Sequence, residues 1–207
     1  MSPKGGVGKS TICASLAVAA VARRKRVGLV DLDPQQSLAG WYRRRPDKTR
    51  MLMSEGTFDP EEAAQSLSDC DVIFLDCPPS QMKVLAAATA CADYVVIPLR
   101  AGTFDVEALQ TAIDLCDEAG VEFGMLLNDV RSNEGTYRAT VEFLLENELP
   151  VIEGALAHRV SHAYAVAHGL AASEAIAGRL DQAAKHDVDV LWADVWKRAL
   201  AAAGARS

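Results

Sequence analysis

The stretch of sequence that decides the fold stands near the start of the chain and reads Pro3-Lys4-Gly5-Gly6-Val7-Gly8-Lys9-Ser10-Thr11. Its glycines let backbone N–H groups approach an anion without a Cβ in the way. A helix that follows such a loop directs the positive end of its dipole at the same anion. The pattern therefore predicts a phosphate-binding loop, in which Lys9 reaches the outer phosphates and the Ser10 hydroxyl serves a Mg²⁺ ion.

The loop departs from the ordinary G-x-x-x-x-G-K-[ST] pattern in two ways. Its first position is Pro3 and not glycine, and a second lysine, Lys4, stands ahead of the glycines. A second cation near a polyphosphate helps to stabilise the charge that develops during phosphoryl transfer. We therefore expect both lysines to act on a nucleotide.

Aspartates follow two apolar runs of the chain, at the points where each run ends. The run at 26–31 leads into Asp31-Leu32-Asp33-Pro34-Gln35. Two carboxylates two residues apart point the same way on an extended segment, which is costly unless a metal ion or water separates them. Asp76 ends the run at 72–75 and precedes two prolines, an arrangement in which a buried strand presents one carboxylate to Mg²⁺.

Together, these motifs resemble those of the ParA/MinD family of deviant Walker A P-loop ATPases. The likeness is greatest to the small ParA-type partition proteins without an N-terminal helix-turn-helix, and it covers nearly the whole chain. It implies ATP and Mg²⁺ as cofactors and a slow, partner-stimulated hydrolysis of ATP to ADP and phosphate. It also implies that Lys4 crosses the interface of an ATP-dependent homodimer to reach the nucleotide of the other subunit.

The resemblance assigns a role to each residue of the site. The residues implied to be catalytic are Lys4, Lys9 and Asp33, of which Asp33 positions or activates the attacking water. The nucleotide would be held by Lys4, Gly5, Gly6, Val7, Gly8, Lys9, Ser10, Thr11 and Asn128. The metal ion would be served by Ser10, Asp31 and Asp76. For Asn128 two interpretations stay open, because its amide can match the adenine edge but can equally form a turn.

The rest of the chain alternates short apolar runs with longer stretches rich in alanine and leucine. Strands are predicted at 26–31, 72–76, 94–98 and 123–127, with a weaker one at 50–53. Helices are predicted at 11–24, 60–67, 82–91, 106–119, 136–147 and 180–203. This alternation predicts an α/β fold with a doubly wound, mostly parallel sheet flanked by helices, in a single P-loop ATPase domain over residues 1–207.

One departure from the family concerns the first strand. Members of the family place a hydrophobic strand before the phosphate loop, whereas only Met1 and Ser2 precede Pro3 here. We therefore expect about six residues of a central strand to be missing or truncated next to the loop. Stability and nucleotide binding are both expected to depend on that strand.

Composition limits the choice of partners. A net charge of -7 over 207 residues disfavours a strongly basic nucleic-acid binder, so any DNA binding needs a local basic patch. The five cysteines form no C-x-x-C pair, which favours free thiols in a reducing cytoplasm. No run reaches the roughly 18 apolar residues of a membrane span, so membrane binding is not the favoured hypothesis.

The resemblance implies a positioning ATPase of the ParA type, cytoplasmic and associated with the nucleoid. Its ATP-bound dimer would bind DNA without sequence preference, and a ParB-like or cargo adaptor protein would stimulate hydrolysis. The cargo would be plasmid or chromosomal DNA or a protein cluster. Candidate DNA contacts, each of which also suits a solvated helix face, are Arg159, Arg179, Lys185, Lys197 and Arg198.

Other interpretations stay open. A MinD-like, membrane-associated positioning ATPase would use the apolar face of the last helix as an anchor, although packing on the sheet is the usual role of such a face. A metabolic P-loop ATPase or ligase is the third candidate. Arg43, Arg44 and Arg45 are predicted to lie in a solvated loop, with a partner-binding surface as the alternative, and His158 and His162 are predicted to be polar surface residues.

Overall fold

The computed structural model describes residues 6–54, 57, 59–102, 106–131, 134–176 and 178–206. The strands in these ranges are β1 Val27–Asp31, β2 Met51–Met53, β3 Val72–Asp76, β4 Tyr94–Arg100, β5 Glu122–Val130 and β6 Val151–Ala157. The helices are α1 Lys9–Ala22, α2 Ser37–Arg44, α3 Pro60–Ser66, α4 Met82–Ala90, α5 Val106–Ala119, α6 Glu134–Glu146, α7 Val160–Ala167 and α8 Gln182–Arg206.

The strands form two parallel sheets of three strands each, in the orders β2-β1-β3 and β4-β5-β6. The predicted α/β class with parallel strands flanked by helices is confirmed, although the single sheet of the prediction is divided here. In the first sheet Asp31 pairs with Asp76, and in the second Arg100 pairs with Asn128. Polar side chains of both sheets therefore stand at the carboxyl ends of the strands, where α/β proteins bind ligands.

Most predicted elements are present, and three are additional. The strands predicted from apolar runs all form, and the predicted helices differ from the observed ones by no more than three residues at either end. The strand β6 was not predicted, because Glu153 and Gly154 interrupt its apolar pattern. Gly154 has a φ of 91°, and a Cβ there would stand 3.0 Å from a methyl group of Val190 on α8. The helices α2 and α7 were not predicted either.

The helix α8 packs along the second sheet and closes one side of the core. Leu191 and Trp192 are buried in the same cluster as Leu16 of α1 and Ile152 of β6. The role of the last helix in packing on the sheet, which the sequence favoured over a membrane anchor, is therefore confirmed. No helix in the described part of the chain is both long enough and apolar enough to cross a bilayer.

The three consecutive arginines do not form the solvated loop that the sequence favoured. Arg43 and Arg44 are exposed in the last turn of α2, where the helix dipole favours cations. Arg45 ends the helix and is only 7% exposed. Its guanidinium donates to both carboxylate oxygens of Glu174, at 3.0 and 2.9 Å, and lies over the ring of Trp41. A buried, bidentate ion pair is the reason why this arginine leaves the solvent.

Candidate nucleotide-binding site

The phosphate loop bends sharply and leads directly into α1. Gly6 and Gly8 have φ values of 85° and 91°, a left-handed backbone that side chains with a Cβ rarely adopt. The helix begins at Lys9, and the carbonyl of Gly8 accepts its first hydrogen bond from Ile12 at 2.9 Å. The N–H groups of the first turn, which includes Ser10 and Thr11, have no carbonyl partner within the helix and therefore point at the loop. Lys4 and Gly5 lie outside the described residues.

Asn128 holds the phosphate loop against the second sheet. It lies near the carboxyl end of β5 and is 9% exposed, and its side-chain N–H₂ donates to the carbonyl of Val7 at 2.6 Å. A Cβ on Gly8 would stand 2.4 Å from the same nitrogen. The glycine at position 8 is therefore required by this contact as well as by its backbone angle. The role of Asn128 at the adenine edge stays a prediction.

A second contact between the loop and this sheet runs through Arg100. Its guanidinium donates to the carbonyl of Gly6 and forms an ion pair with Asp129 at 3.3 Å. His158 pairs with the other oxygen of Asp129 through its Nδ1 atom. Neither Arg100 nor Asp129 was predicted from the sequence to have a role, and His158 was predicted to be a polar surface residue. The signal for finding Arg100 was its place at the end of an apolar run, two residues beyond the predicted strand at 94–98.

Asp31 and Asp33 form the turn that follows β1. One oxygen of Asp31 accepts the N–H of Asp33 at 3.1 Å, and the other accepts the N–H of Ala39 in α2 at 2.8 Å. Burial raises the pKa of Asp31, and these backbone donors lower it in part. Asp33 in turn accepts the N–H of Gln35 at 2.9 Å. Asp31 therefore fixes the position of Asp33 and of the first turn of α2.

Asp76 is the most buried acidic group of the site. It is 0% exposed, and neither carboxylate oxygen has a well-formed hydrogen bond to the described part of the chain. Burial raises its pKa to about 7, and the charge of Asp31 adds to the rise, while Ser10 and Lys9 are near enough to lower it. Ser10 lowers the pKa of the carboxylate, although its hydroxyl does not form a hydrogen bond of normal geometry with it. A buried carboxylate without donors is costly unless a cation or a proton compensates it.

The side-chain oxygens of Asp76 and Ser10 suit a magnesium ion. A carboxylate and a hydroxyl are hard oxygen ligands, and Mg²⁺ usually takes one or two carboxylates and fills its remaining positions with phosphate oxygens and water. Among the described residues no group of three or more His, Cys, Asp or Glu side chains could hold a metal ion by itself. The residues present therefore fit an ion whose other ligands are phosphate oxygens and water.

The five basic residues that were predicted to contact DNA fall into two groups. Three of them form ion pairs with aspartates of α8: Arg159 with Asp187, Lys185 with Asp189 and Arg198 with Asp194. Arg179 and Lys197 are exposed and form no ion pair with the described residues. These two carry the charges that are most available to a phosphate backbone.

Comparison with known proteins gives a consistent picture. Residues 1–171 match the model of the family described as the CobQ/CobB/MinD/ParA nucleotide binding domain. The maintenance of carboxysome distribution protein A of Gloeobacter kilaueensis is 30% identical over 175 residues, which are 82% of this chain and 80% of that protein. The protein of the same name from Halothiobacillus neapolitanus is 27% identical over 177 residues, which are 81% of this chain and 82% of that protein.

A solved structure shows the same fold. The putative plasmid partition protein of Borrelia burgdorferi B31, bound to AMPPNP, superposes with a TM-score of 0.74 over 96% of this chain and 97% of that chain, at 19% identity. The family match extends over most of the chain and includes the phosphate loop and both aspartate motifs. The chain therefore belongs to the CobQ/CobB/MinD/ParA nucleotide-binding domain family, as a P-loop ATPase of the ParA/MinD type.

Proposed function

We propose that this protein is a ParA-type positioning ATPase that binds Mg-ATP, dimerises around it and hydrolyses it slowly until a cargo-bound partner stimulates the reaction. The observation that carries the proposal is the buried carboxylate of Asp76 beside the start of α1, which has no hydrogen-bond partner among the residues that the structure describes. The loop, the helix and this carboxylate together offer donors for phosphate and an acceptor for the cation that accompanies it. The names of the relatives, which distribute carboxysomes or partition plasmids, support a role in positioning.

The residues of the loop bind and orient the triphosphate. Backbone N–H groups from Gly6 to Thr11 donate to phosphate oxygens, and Lys9 places its cation on the outer phosphates. Ser10 and Asp76 would hold the metal ion. Magnesium, when bound, neutralises phosphate charge and stabilises the transition state of phosphoryl transfer.

The turn after β1 prepares the water for its attack. Asp33 orients or deprotonates the attacking water, and its own position is set by the hydrogen bond from its N–H to Asp31. Asp31 supports the water shell of the metal ion. Asp31 and Asp76 pair with each other on neighbouring strands, so both carboxylates face the same small volume.

The dimer completes the site. Lys4 reaches across to the nucleotide of the other subunit, which makes dimerisation depend on ATP. The side-chain N–H₂ of Asn128 donates one hydrogen bond to Val7, and the remaining hydrogen-bonding positions of the amide recognise the adenine edge. The ATP-bound dimer then binds DNA without sequence preference, mainly through Arg179 and Lys197, and the protein is cytoplasmic and associated with the nucleoid.

ATP hydrolysis in the presence of magnesium and random-sequence duplex DNA tests the proposal. We expect a slow basal rate in the wild type, a loss of at least about a hundredfold in Lys9→Ala, and no change in Lys48→Ala. Lys48 is an exposed lysine before the amino end of β2, at the opposite end of the strands from the site, so it serves as the matched control. Equal rates in all three proteins would refute the proposal.

Two further measurements separate this function from its alternatives. We expect sedimentation to show a dimer with ATP and magnesium and a monomer with ADP, and Lys4→Ala to remain monomeric. DNA binding should require ATP and weaken steeply with salt, and the double variant with Arg179→Ala and Lys197→Ala should bind more weakly than Lys185→Ala. Binding to anionic liposomes in place of DNA would indicate the MinD-like alternative, and formation of a product from a cosubstrate would indicate a ligase.

A further inference from the structure

Two basic segments lie together at the amino ends of β1 and β2. Residues 23–26 precede β1 and residues 43–50 precede β2, and the two strands pair with each other from their first residues onwards. The N–H of Val27 donates to the carbonyl of Arg50 at 2.8 Å, and the guanidinium of Arg50 donates to the carbonyl of Arg24 at 3.0 Å. The two segments therefore form one continuous surface, which we call the basic surface.

The basic surface holds a large share of the positive charge of the chain. Its residues, 23–26 and 43–50, include nine of the 21 lysines and arginines and only one of the 28 aspartates and glutamates. The surface therefore carries a net charge of +8, within a chain whose net charge is -7. Such a separation of charge creates a local positive potential, which attracts an anionic partner.

Most of these cations are exposed and have no acidic partner. Arg45 is buried, and Arg23 is paired with Asp189. Asp47, the one acidic residue of the surface, accepts hydrogen bonds from Thr49. Six exposed cations form no ion pair with the residues that the structure describes: Arg24, Arg26, Arg43, Arg44, Lys48 and Arg50.

Helix dipoles balance only a small part of this charge. The helix α1 ends at Ala22 and α2 ends at Arg44, so the negative ends of both helices lie beside the basic surface. Each helix end is equivalent to about half an elementary charge. Two such ends therefore balance about one of the six unpaired charges, and the others are available to a partner from outside.

The composition of the basic surface favours a phosphate backbone as that partner. Seven of its nine cations are arginines, whose planar guanidinium matches the oxygens of a phosphate. Surfaces that bind membranes or single strands add large apolar or aromatic side chains, and no residue of 23–26 or 43–50 is of either kind. The neighbouring rings are covered, since Trp41 is 1% exposed and Tyr42 lies under Lys48.

We propose that the basic surface binds the phosphate backbone of duplex DNA, in a weak contact without sequence preference that does not depend on the bound nucleotide. This rests on the proposed function, in which the protein binds DNA, and adds a contact area at the opposite end of the strands from the phosphate loop. The 14 residues of α1 separate the two ends by about 21 Å. This length exceeds the Debye length of about 8 Å at physiological salt, so the charge of a nucleotide is screened from the basic surface.

A weak contact of this kind agrees with the ATP dependence proposed above. One basic surface supplies the nonspecific binding that is typical of phosphate contacts alone and that falls steeply with salt. The dimer carries two basic surfaces in addition to Arg179 and Lys197, and linked contacts bind more tightly than separate ones. We therefore expect binding without ATP at about 50 mM salt, and binding that requires ATP at about 200 mM salt.

Fluorescence anisotropy with a short random-sequence DNA duplex, without nucleotide, tests the proposal across this range of salt. The variant carries Arg26→Gln and Arg43→Gln, because neither side chain forms a hydrogen bond or an ion pair with the described residues. We expect its Kd to rise by about tenfold or more at about 100 mM salt, and the slope of log K against log salt to fall by about two. A variant with Arg26→Lys and Arg43→Lys should keep most of the slope, since its charges remain.

The matched control carries Arg131→Gln and Arg138→Gln, two exposed arginines outside the basic surface. It changes the net charge of the protein by the same amount, and its Kd should stay within about twofold of the wild type. An equal loss of binding in both double variants would overturn the proposal, because net charge and not the basic surface would then account for it.

Competition identifies the kind of polyanion that the surface prefers. We expect unlabelled duplex DNA to displace the probe at a lower concentration of charge than polyglutamate, duplex RNA, or vesicles of phosphatidylserine and phosphatidylcholine. Stronger displacement by polyglutamate would assign the basic surface to an acidic protein segment, and stronger displacement by RNA or by vesicles would assign it to those partners. Each of these three results would overturn the proposal.

Failure of this proposal and failure of the proposed function give different results. Lys9→Ala should lose ATP hydrolysis and keep the binding that is measured without nucleotide. A wild type that hydrolyses no ATP, with binding that still depends on Arg26 and Arg43, would count against the proposed function alone. Salt slopes that are equal in the Arg26→Gln, Arg43→Gln variant and the wild type, with ATP hydrolysis and ATP-dependent DNA binding intact, would count against the basic surface alone.

Discussion

Asp31 and Asp76 stand side by side as paired residues at the ends of β1 and β3, yet only Asp31 is supplied with hydrogen-bond donors. The two oxygens of Asp31 accept N–H groups from the following turn and helix, and those of Asp76 accept none in the described part of the chain. One carboxylate therefore holds the backbone, and the other is the one that we propose as a magnesium ligand.

The buried carboxylate of Asp76 predicts a pH dependence of stability in the protein without metal and nucleotide. Its pKa of about 7 in the folded state lies above the value of about 4 for an unfolded aspartate. Between these pH values the folded state therefore binds more protons than the unfolded state. The contribution of this residue to the free energy of unfolding falls as the pH rises through that window. We expect Asp76→Asn to be the more stable protein at about pH 8, by on the order of a few kcal/mol, with the difference shrinking towards about pH 4.

Urea unfolding in the presence of EDTA measures this difference. Asp69→Asn, which changes an exposed aspartate, is the control and should leave the pH profile of the wild type unchanged. An advantage of Asp76→Asn that is the same at acidic and alkaline pH would show that the carboxylate does not titrate in this window.

The contact between Gly8 and Asn128 predicts that Gly8→Ala loses both stability and nucleotide binding. Alanine in a left-handed backbone costs on the order of 1 kcal/mol or more, and its Cβ would stand 2.4 Å from the Asn128 amide. The matched control is Gly120→Ala, since Gly120 also has a positive φ but has nothing within 4 Å of the added Cβ. Urea unfolding should show the larger loss in Gly8→Ala, and the double variant with Asn128→Ala should recover part of it. Equal losses at the two glycines would show that the amide contact is unimportant.

The bond from Arg100 to the loop carbonyl of Gly6 predicts a role in nucleotide affinity. Arg100→Ala removes a charge-assisted hydrogen bond that holds the loop, and the side chain is 45% exposed, so solvent weakens the effect. We expect the Kd for a fluorescent ATP analogue to rise by roughly three- to tenfold, with little change in Tm. Arg138→Ala, at an exposed site on α6, should leave the Kd unchanged. A wild-type Kd in Arg100→Ala would mean that the loop keeps its shape without this bond.

The ion pair of Arg45 and Glu174 predicts a large difference between adjacent arginines. The side chain of Arg45 is 5% exposed and that of Glu174 is 25% exposed. When one partner is removed, water therefore replaces only part of the lost interaction. Arg45→Ala should lower the free energy of unfolding by about 2–3 kcal/mol, while Arg43→Ala should lower it by less than about 0.5 kcal/mol. Arg45→Lys should not restore the wild type, because one ammonium group cannot make the bidentate contact. Chemical denaturation of the three variants checks this order.

Residues that act through local patterns could be predicted from the sequence. The apolar runs gave the strands because a buried parallel strand needs apolar side chains on both faces, and Asp31 and Asp76 were placed correctly at neighbouring strand ends. The backbone angles of Gly6 and Gly8 agree with a loop in which glycine is needed. These features depend on a few consecutive residues, whose chemistry is visible without the fold.

Features that depend on distant parts of the chain could not be predicted in this way. Arg45 is buried because Glu174 lies 129 positions further along the chain, and nothing next to Arg45 in the sequence indicates that partner. The strand β6 was missed because Gly154 serves the packing of α8, which only the tertiary structure reveals. The contact of Arg100 with the loop likewise depends on the tertiary structure, through the register of β4 against β5.

The carboxylate of Asp31 has one more consequence, since it binds the N–H groups of both Asp33 and Ala39. The turn that contains Asp33 and the first turn of α2 are therefore held by the same side chain. The helix α2 is held further along as well, because Trp41 donates to the carbonyl of Leu170 at 3.0 Å. Hydrogen bonds thus connect Asp33, through Asp31 and α2, to the segment that follows α7, a helix on which Val160 and Tyr164 are exposed.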